Sequence, residues 1–595
     1  MRFRIVLSTL LALVVSVAAI ADELKSNIVN TKQNKWSSSR YFVKGVEAYD
    51  DVEIDVAIEM FEKELKLHPS NGYAQCNLAL SRYMQAMYEM KSVLYDDESS
   101  EQDMMIVRET GERAMGAAIP ALDEGIAMLS SADAEGQCQA YRLKAYMLSN
   151  FEVVDSAQVS ACYDKAIAAH PCEEVYVDHM SFFSENIEVV ITDAQTLRSL
   201  YPDDPSNVKL LAVMTFRGED YSQSLAYCEE YSAMLKSQGE ESLDTQVAPM
   251  QLVSLKELGR EEEAMDLALK YIEDYDLGEA VQIFMMLAKK NPDLAEIKIK
   301  QRVFADTGDP MLWNVMLGRI MEFKRDYGSA LEYFKTLEKT NHEAFVLNEM
   351  ANCYYMLGDT DNALLYIDAA TIMNDGGEYA PARDKMLINT GMASKVINEV
   401  MTGVEFINKP SDNEISRRLT LIELLLQERD YAQVEKVFLT IADSVYSAKA
   451  LTIYAEALKG LGRDDEAQSC LQKIFDLDAV PLSDFIYLIQ AHNALGQVEE
   501  ARKKTESLSL GWEGYQQNPD DDGYSSSCYD IAVVYALLGD SDKALEYLEK
   551  HFIHDEMPYN FGFMERDRRL DSVRELPQYK ALVEKYKKQW KSNAK

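Results

Sequence analysis

The residues that could perform chemistry in this chain are few and widely spaced. His551 and His554 lie three residues apart with Asp555 beside them, so both imidazoles could share one helix face and coordinate a metal ion. A structural zinc centre needs four converging ligands, and the other histidines are dispersed along the 595 residues. We interpret both histidines as surface polar residues and predict no metal site.

Sequence motifs for phosphate binding and for acyl transfer are also missing. Neither a GxxxxGKS/T loop nor a GxSxG elbow occurs. Gly460-Leu461-Gly462 is rich in glycine, but it follows a predicted helix rather than a strand and therefore indicates a hairpin turn. Carboxylate pairs are uninformative in a chain with 100 acidic residues. We predict no catalytic residue and no cofactor, and we expect that the protein is not an enzyme.

The element that recurs along the chain is a tight turn between two helices. One helix is predicted to end at Leu357, Gly358 can adopt the left-handed conformation, and Thr360 or Asp361 can cap the next helix. Ala363 then lies where the two helices must approach closely. The same Leu-Gly pair, with alanine five residues after the glycine, occurs at Gly259 with Ala264, Gly462 with Ala467, Gly496 with Ala501 and Gly539 with Ala544.

The spacing of these turns reveals a repeat. Gly462 and Gly496 are 34 residues apart, Gly358 and Gly462 are 104 apart, and Gly259 and Gly358 are 99 apart. The two longer intervals are each close to three steps of the first. Degenerate turns, such as Asp326-Tyr327 and Asp430-Tyr431, fall in the intervening slots. A period of about 34 residues is typical of helical hairpins, so we predict an all-α fold, an α-solenoid (superhelix) of antiparallel helix pairs.

The residues within each unit resemble the tetratricopeptide-repeat (TPR) family, of an exported bacterial type, from about Ser38 to His551. The unit that begins at Ala344 matches the family pattern at Leu347, Ala351, Tyr354, Ala363 and Ala370. The unit that begins at Ser38 matches it at Tyr41, Gly45, Ala57, Phe61 and Pro69. Several units in phase make the resemblance specific.

The chain begins with the pattern of a secretory signal peptide. Arg2 and Arg4 precede an apolar run that ends in the small-residue site Ala19-Ile20-Ala21, and no lipoprotein cysteine follows. We therefore expect an exported protein, periplasmic or secreted, that is not a lipoprotein and has no membrane span in its mature part. The predicted organisation is a signal peptide (1–21), a flexible segment (22–37), an N-terminal TPR-like array (38–236) with an enlarged hairpin at 88–129, a C-terminal TPR array (247–551) and a capping segment (552–595).

The net charge narrows the classes of possible partner, and the arrangement of the cysteines bears on disulfide formation. The formal net charge of −40 repels phosphate backbones, so we predict that nucleic acid is not a partner. The eight cysteines form no CxxC motif and are expected to be mostly buried free thiols. A disulfide that joins Cys162 to either Cys172 or Cys138 is the alternative.

The resemblance implies a binding surface. In this family the first helices of successive repeats line a concave groove that holds peptides or partner helices. The groove positions of the family correspond here to Arg319, Asn348, Asn352, Tyr355, Glu456, Gln490 and Asn493. An asparagine amide can bond a peptide backbone without selecting its sequence. The lysine of the chaperone-binding carboxylate clamp has no counterpart, so recognition of an acidic chain terminus is not predicted.

These observations predict a non-catalytic protein–protein interaction scaffold of the bacterial envelope, which binds a peptide or partner protein of unknown identity in the groove. The partner could belong to an outer-membrane or secretion complex. One alternative is a glycan- or nutrient-binding envelope protein, although the four tryptophans (Trp36, Trp313, Trp512 and Trp590) are far apart in sequence. The other alternative is an accessory subunit of an enzyme, or an enzyme itself, with a pocket built by the hairpin at 88–129.

Overall fold

The structure is a computed structural model, and it describes residues 28–94, 101–151, 153–239, 244–340, 342–374, 377–406, 410–442, 447–477, 480–481, 484–517, 527–555 and 558–593. Within these ranges every regular element is a helix, so the predicted all-α class is confirmed. None of the helices in these ranges combines the length and the apolar character needed to cross a bilayer. The predicted signal peptide, 1–21, lies outside the described residues.

The chain separates into two compact units. The N-terminal unit takes the described residues up to Tyr271 together with Leu277–Ile283, and the C-terminal unit takes Ile272–Asp276 and the described residues from Phe284 onward. The boundary therefore falls in two consecutive helices, whereas the described residues between the two predicted arrays (237–239 and 244–246) lie within the N-terminal unit. The predicted bounds of the arrays stay predictions.

Helices α1 to α13 cover the N-terminal unit and the boundary. They are α1 Arg40–Asp50, α2 Ile54–Leu67, α3 Gly72–Leu94, α4 Glu101–Met128, α5 Ala134–Ser149, α6 Ser156–Ala169, α7 Glu173–Phe182, α8 Ile187–Leu200, α9 Pro205–Arg217, α10 Tyr221–Ser237, α11 Val247–Glu257, α12 Glu261–Tyr275 and α13 Gly278–Lys290.

Helices α14 to α31 build the rest of the C-terminal unit. They are α14 Pro292–Ala305, α15 Pro310–Phe323, α16 Tyr327–Thr340, α17 Ala344–Met356, α18 Thr360–Met373, α19 Ala380–Asn389, α20 Ala393–Phe406, α21 Asp412–Gln427, α22 Tyr431–Phe438, α23 Ala448–Gly460, α24 Asp464–Gln472, α25 Phe485–Ala494, α26 Val498–Gln517, α27 Cys528–Leu537, α28 Ser541–His554, α29 Phe561–Arg566, α30 Asp571–Arg574 and α31 Pro577–Asn593. Short 3-10 helices follow α24 and α29.

The turn glycines adopt the conformation that the sequence predicts. The five glycines of the Leu-Gly turns all have positive φ, between 71° at Gly259 and 83° at Gly358. In the degenerate turns Arg325 and Arg429 take the same place, with φ of 57° and 61°. A β-carbon is disfavoured in this conformation, which explains why glycine recurs there.

The helix cap in these turns lies one residue earlier than predicted. The carboxylate of Asp359, rather than Thr360 or Asp361, accepts a hydrogen bond from the backbone N–H of Asn362 at 3.2 Å. Asp540 caps α28 in the same manner. In these two turns the aspartate after the left-handed glycine therefore satisfies one of the free N–H groups of the second helix.

Small residues allow the paired helices to approach. Ala363 is fully buried between α17 and α18, as the sequence predicts. A β-carbon placed on Gly318 would lie 2.6 Å from the ring of Phe334, and one placed on Gly45 would lie equally close to the ring of Phe61. In these two hairpins the glycine of the first helix thus leaves room for the aromatic residue of the second helix.

Two features of the N-terminal unit differ from what the sequence predicts. The enlarged hairpin consists of α3 and α4, which have 23 and 28 residues, so its first helix begins at Gly72 rather than near residue 88. The described part of the segment predicted to be flexible, residues 28–37, is packed. Val29 is fully buried, and its N–H donates to Asn77 Oδ1 at 2.8 Å while Asn77 Nδ2 donates to the carbonyl of Val29 at 3.1 Å.

Candidate functional site

The candidate site lies on the surface formed by the first helices of the repeats in the C-terminal unit, here called the first-helix face (α15, α17, α19, α21, α23, α25 and α27). Neighbouring first helices lie side by side along much of this face, as α21 does with α23 and α25 with α27. Each begins after a loop and ends at a tight turn, so its outward side chains recur at repeat spacing. All seven residues predicted from the TPR groove positions lie on these helices.

The first three predicted residues lie at one end of this face, on α15 and α17. Arg319 is exposed, and its guanidinium donates to Glu349 Oε1 at 2.8 Å and to Glu322 Oε2 at 3.4 Å. Asn348 and Asn352 are half-buried on α17, and Asn348 Nδ2 also donates to Glu349 Oε1, at 3.1 Å. We call this group the α15–α17 polar cluster.

Two hydrogen-bond acceptors of the α15–α17 polar cluster lack a donor within the described residues. Asn348 Oδ1 and Glu349 Oε2 are buried and have no hydrogen-bond partner among the described residues. Glu349 itself is only 3% exposed. A buried acceptor without a donor costs about 1–3 kcal/mol, so these atoms favour a ligand that supplies N–H or O–H groups.

The carboxylates of the cluster share their surroundings and compete for ionisation. Burial, followed by the nearby charge of Glu349, raises the pKa of Glu322 to about 7. Burial likewise raises the pKa of Glu349, against the opposing effect of Arg319. The thiol of Cys353 donates to Glu322 Oε1 at 3.7 Å. Burial therefore outweighs the guanidinium of Arg319, and both carboxyl groups of the cluster hold their protons more readily than exposed ones.

The C-terminal segment, residues 558–593, returns to this same face. The hydroxyl of Tyr355 donates to the carbonyl of Tyr559 at 2.5 Å, and Trp590 Nε1 donates to the carbonyl of Tyr355 at 2.6 Å. The rings of Tyr559 and Trp590 stack, with centroids 5.6 Å apart. Tyr355, predicted as a groove residue, is consequently 1% exposed and contacts the protein's own C-terminal segment.

Further contacts extend this docking over α19 to α23. The backbone N–H of Phe563 donates to Asn389 Oδ1 at 3.4 Å, and Gly562 lies so close to the carbonyl of Ile388 that a β-carbon would overlap it. Arg566 pairs with Glu428 at 2.8 Å. The segment therefore covers the middle of the first-helix face, a role beyond that of a cap on the last hairpin.

The remaining predicted residues line a cavity beneath the segment. Glu456, Gln490 and Asn493 share a cavity of about 440 Å³ with Arg568 and Arg569. Arg568 pairs with Glu456, which places a contact of the C-terminal segment on a predicted groove residue. The structure thus divides the seven predicted residues into the α15–α17 polar cluster, the covered Tyr355 and this cavity.

Sequence reasoning overlooked Glu322, Glu349 and Arg568. Glu322 lies three residues after Arg319 on the same helix, α15, so the repeat register could have identified it. Glu349 is the sixth residue of its unit and only its burial distinguishes it. Arg568 lies outside the repeats, and its placement depends on the return of the C-terminal segment.

The histidine pair near the C-terminus differs from the prediction. His554 is exposed, but His551 is only 2% exposed. Its Nδ1 lies 2.6 Å from Asp555 Oδ2 and its Nε2 lies 2.8 Å from Asn560 Oδ1, so both ring nitrogens are engaged within the protein. Asp555 in turn accepts from the backbone N–H of Cys528 at 3.2 Å. His551 therefore joins α28 to the start of the C-terminal segment.

Comparison with known proteins shows which family part of this chain resembles. No curated protein matches the sequence. A tetratricopeptide-repeat family model matches residues 448–481 and 525–550, which include the helix pair α23–α24, helix α27 and most of α28.

Two solved structures are similar over most of their length. "Structure of Naa15/Naa10 bound to HypK-THB" is 10% identical with a TM-score of 0.29, and covers 92% of this chain and 96% of that chain. "Crystal structure of APC/C hetero-tetramer Cut9-Hcn1" is 12% identical with a TM-score of 0.26, and covers 94% and 98%. Both TM-scores are low, so neither likeness supports a functional argument. The matched residues show that this chain contains tetratricopeptide repeats in its C-terminal unit, and the rest of its described residues continue the pattern of helical hairpins.

Proposed function

We propose that this protein is a non-catalytic interaction scaffold of the bacterial envelope, and that it binds a segment of a partner protein at the α15–α17 polar cluster. Tetratricopeptide repeats support the general role of protein–protein interaction. Export to the envelope follows from the predicted signal peptide, 1–21. The finer assignment depends on the chemistry of the first-helix face.

The observation that carries the proposal is the pair of unpartnered acceptors, Asn348 Oδ1 and Glu349 Oε2. They lie beside the exposed guanidinium of Arg319. This cluster is at one end of the first-helix face, next to Tyr355, which the C-terminal segment covers. A peptide main-chain N–H or a cationic side chain would supply the donors that these oxygens lack.

The charges of the cluster and of the whole protein also favour a partner segment that supplies hydrogen-bond donors rather than acceptors. The cluster holds two carboxylates and one guanidinium, in a protein whose formal net charge is −40. An acidic partner would be repelled before it reached the cluster, whereas a segment with lysine or arginine would be attracted to it. We therefore expect the partner segment to be neutral or basic.

The test is quantitative capture of partners from the native envelope. Tagged full-length protein and the Asn348→Ala/Asn352→Ala variant are used as baits, and bound proteins are identified by mass spectrometry. A matched control, Asn398→Ala/Asn413→Ala, changes two exposed asparagines of the same unit. We expect the first variant to lose at least fivefold of one or more partners that the control retains, with unchanged circular dichroism.

Two other measurements separate the parts of the proposal. The variant Glu349→Gln keeps the shape of the side chain but removes its charge, and it should weaken capture of the same partner. Equal capture by all variants would remove the α15–α17 polar cluster from the mechanism. Recovery of the protein in the cytoplasmic fraction, with residues 1–21 still attached, would contradict the envelope assignment.

A further inference from the structure

The cavity beneath the C-terminal segment has the dimensions of a small-molecule site. Its volume is about 440 Å³, and small-molecule sites in proteins usually measure about 300–1,000 Å³. Helices α23, α24 and α25 supply most of its lining, and the C-terminal segment adds Arg568, Arg569 and Asp571. No residue of the α15–α17 polar cluster lines it. The cavity is therefore a separate place at which a ligand can be held.

The lining of this cavity is basic in comparison with the rest of the protein. The whole chain has 60 basic and 100 acidic residues. The charged residues of the lining are Arg429, Lys459, Arg568, Arg569, Glu456, Asp464 and Asp571. Charges more than about 8 Å away are largely screened at physiological ionic strength. The lining, rather than the net charge of the protein, therefore decides which small ions the cavity attracts.

The acidic residues of the lining are mostly neutralised by ion pairs within the protein. Glu456 pairs with Arg568 of the C-terminal segment. Asp571 pairs with Arg574, a residue outside the lining, at 2.5 Å. The third carboxylate, Asp464, is exposed at the start of α24. One carboxylate of the lining is thus left without a cation among the described residues.

Two of the basic residues have no counter-ion in the described part of the chain. Arg569 is held by Asp567, with Nη2 and Oδ2 2.7 Å apart. Arg429, in the turn between α21 and α22, and Lys459, near the end of α23, are both exposed. Neither side chain forms a hydrogen bond or an ion pair with a described residue. These two cations are available to a bound anion.

Gln490 on α25 adds a hydrogen-bond donor that lacks an acceptor. Its Nε2 is buried, and no described atom accepts a hydrogen bond from it. Asn493, one turn later on the same helix, is already engaged, because its Nδ2 donates to the carbonyl of Leu537 at 3.4 Å. A buried donor without an acceptor is unfavourable. An oxygen atom of a bound anion would supply the missing acceptor.

The docked C-terminal segment limits the size of the ligand. Arg566 pairs with Glu428, and Arg568 pairs with Glu456, so the segment is fastened to the first-helix face beside the cavity. An extended partner chain could follow this part of the face only by displacing the segment. A small molecule can occupy the cavity while these ion pairs stay intact.

We propose that this cavity binds a small organic anion that carries carboxylate or phosphate groups, and that Arg429, Lys459 and Gln490 receive its oxygen atoms. Guanidinium, ammonium and amide N–H groups are the donors that bind such oxygens in proteins. Glu456 opposes binding, because its carboxylate competes with the anion for Arg568. The partner-binding proposal concerns another site, and neither proposal depends on the other.

The test is isothermal titration calorimetry of the full-length protein at constant ionic strength. The probes are sodium succinate, sodium citrate and sodium phosphate, with succinamide as the uncharged counterpart of succinate. We expect at least one anion to bind saturably with a Kd of about 1 mM or lower, and succinamide to give no saturable heat. Binding of succinate or citrate alone assigns a carboxylate ligand, and binding of phosphate alone assigns a phosphate ligand.

Three variants test the residues of the site. Lys459→Gln removes a cation and Gln490→Met removes the buried donor, so each should weaken binding of the anion at least fivefold. Glu456→Gln removes the competing carboxylate and should tighten binding at least twofold. The matched control is Lys395→Gln, an exposed lysine of α20 outside the lining, which should bind as the native protein does.

The charge variants also guard against loss of the fold. Lys459 and Glu456 are both exposed, and opposite effects of their substitution on affinity cannot arise from unfolding. The Asn348→Ala/Asn352→Ala variant should bind the anion normally, which separates this site from the α15–α17 polar cluster. Absence of saturable heat with all three anions, or equal affinity for succinate and succinamide, would overturn the proposal. Equal weakening by Lys459→Gln and Lys395→Gln would do the same.

Discussion

The indole N–H of Trp590 donates to the main-chain carbonyl of Tyr355, a residue 235 positions earlier, at a distance of 2.6 Å. The hydroxyl of the same tyrosine donates to the carbonyl of Tyr559. One residue of a first helix is thereby held at both its main chain and its side chain. The C-terminal segment is therefore a structural part of the first-helix face.

Removal of the Trp590 ring should release this segment. Trp590 is 5% exposed, and truncation of a buried tryptophan to alanine costs about 3–5 kcal/mol. In Trp590→Ala we expect faster hydrogen exchange and proteolysis in residues 558–593. Trp590→Phe keeps an aromatic ring and loses one hydrogen bond, at about 1 kcal/mol, so it should show a much smaller change. Equal protection in all three proteins would contradict the docking.

Two turn glycines provide a matched test of the same contact. Gly358 and Gly462 have φ of 83° and 75°, so alanine at either position is strained by about 1–2 kcal/mol. A β-carbon at Gly358 would also overlap the carbonyl of Trp590, whereas no described atom lies within 4 Å of one at Gly462. Gly358→Ala should lower the thermal midpoint more than Gly462→Ala and expose the C-terminal segment. Identical thermal midpoints of the two variants would show that the overlap at Gly358 is relieved without loss of stability.

The packing of a glycine against an aromatic ring can be tested within one repeat. Gly318→Ala would force the ring of Phe334 to move, and overpacking of this kind costs about 1–3 kcal/mol. A smaller residue, in Gly318→Ala/Phe334→Leu, should recover part of the lost thermal stability. Gly514→Ala is the control, because it lies in α26 with open space around it and should stabilise by about 0.5–1 kcal/mol. A Gly318→Ala protein as stable as the native one would refute the packing argument.

Glu322 should make stability depend on pH. Burial and the charge of Glu349 raise its pKa in the folded protein to about 7, from the ordinary 4.5 of a glutamate. Arg319, Cys353 and Tyr327 also face it. Between these two values the folded state binds more protons than the unfolded state, so stability falls as pH rises from about 4.5 to 7. The full effect is up to about 3 kcal/mol.

The neutral variant Glu322→Gln isolates this group. Its thermal midpoint should exceed that of the native protein at pH 8 and approach it near pH 5. The exposed Glu332→Gln, on the adjacent α16, serves as the control and should show no such difference. A constant offset between Glu322→Gln and the native protein at all pH values would contradict the raised pKa.

The repeat pattern was readable in the sequence because it is local. Gly358 and its four counterparts have the predicted positive φ, and Ala363 is buried where two helices approach. The cap was assigned one residue too late, since Asp359 and Thr360 are both good capping residues and only the observed helix start distinguishes them. Residues 28–37 were expected to be flexible because they are polar, but the hydrogen bonds of Val29 to Asn77 are made across 48 residues.

The candidate site was only partly predictable. The repeat register placed Arg319, Asn348 and Asn352 on first helices, and the structure brings Arg319 and Asn348 together through Glu349. Tyr355 followed the same register, yet it is covered by the C-terminal segment. The cysteines were expected to be mostly buried free thiols, and the structure has all eight as free thiols, seven of them buried.

The amino-acid sequence by itself determined the helical hairpins, their period and their turns, because each depends on residues within a single repeat. Tertiary structure alone decided that Trp590 meets Tyr355 and that Glu349 keeps an unpartnered oxygen. These relationships depend on how successive repeats stack and on where the C-terminal segment returns. Small rotations between repeats accumulate along the chain, so periodicity in the sequence does not specify which distant residues come into contact.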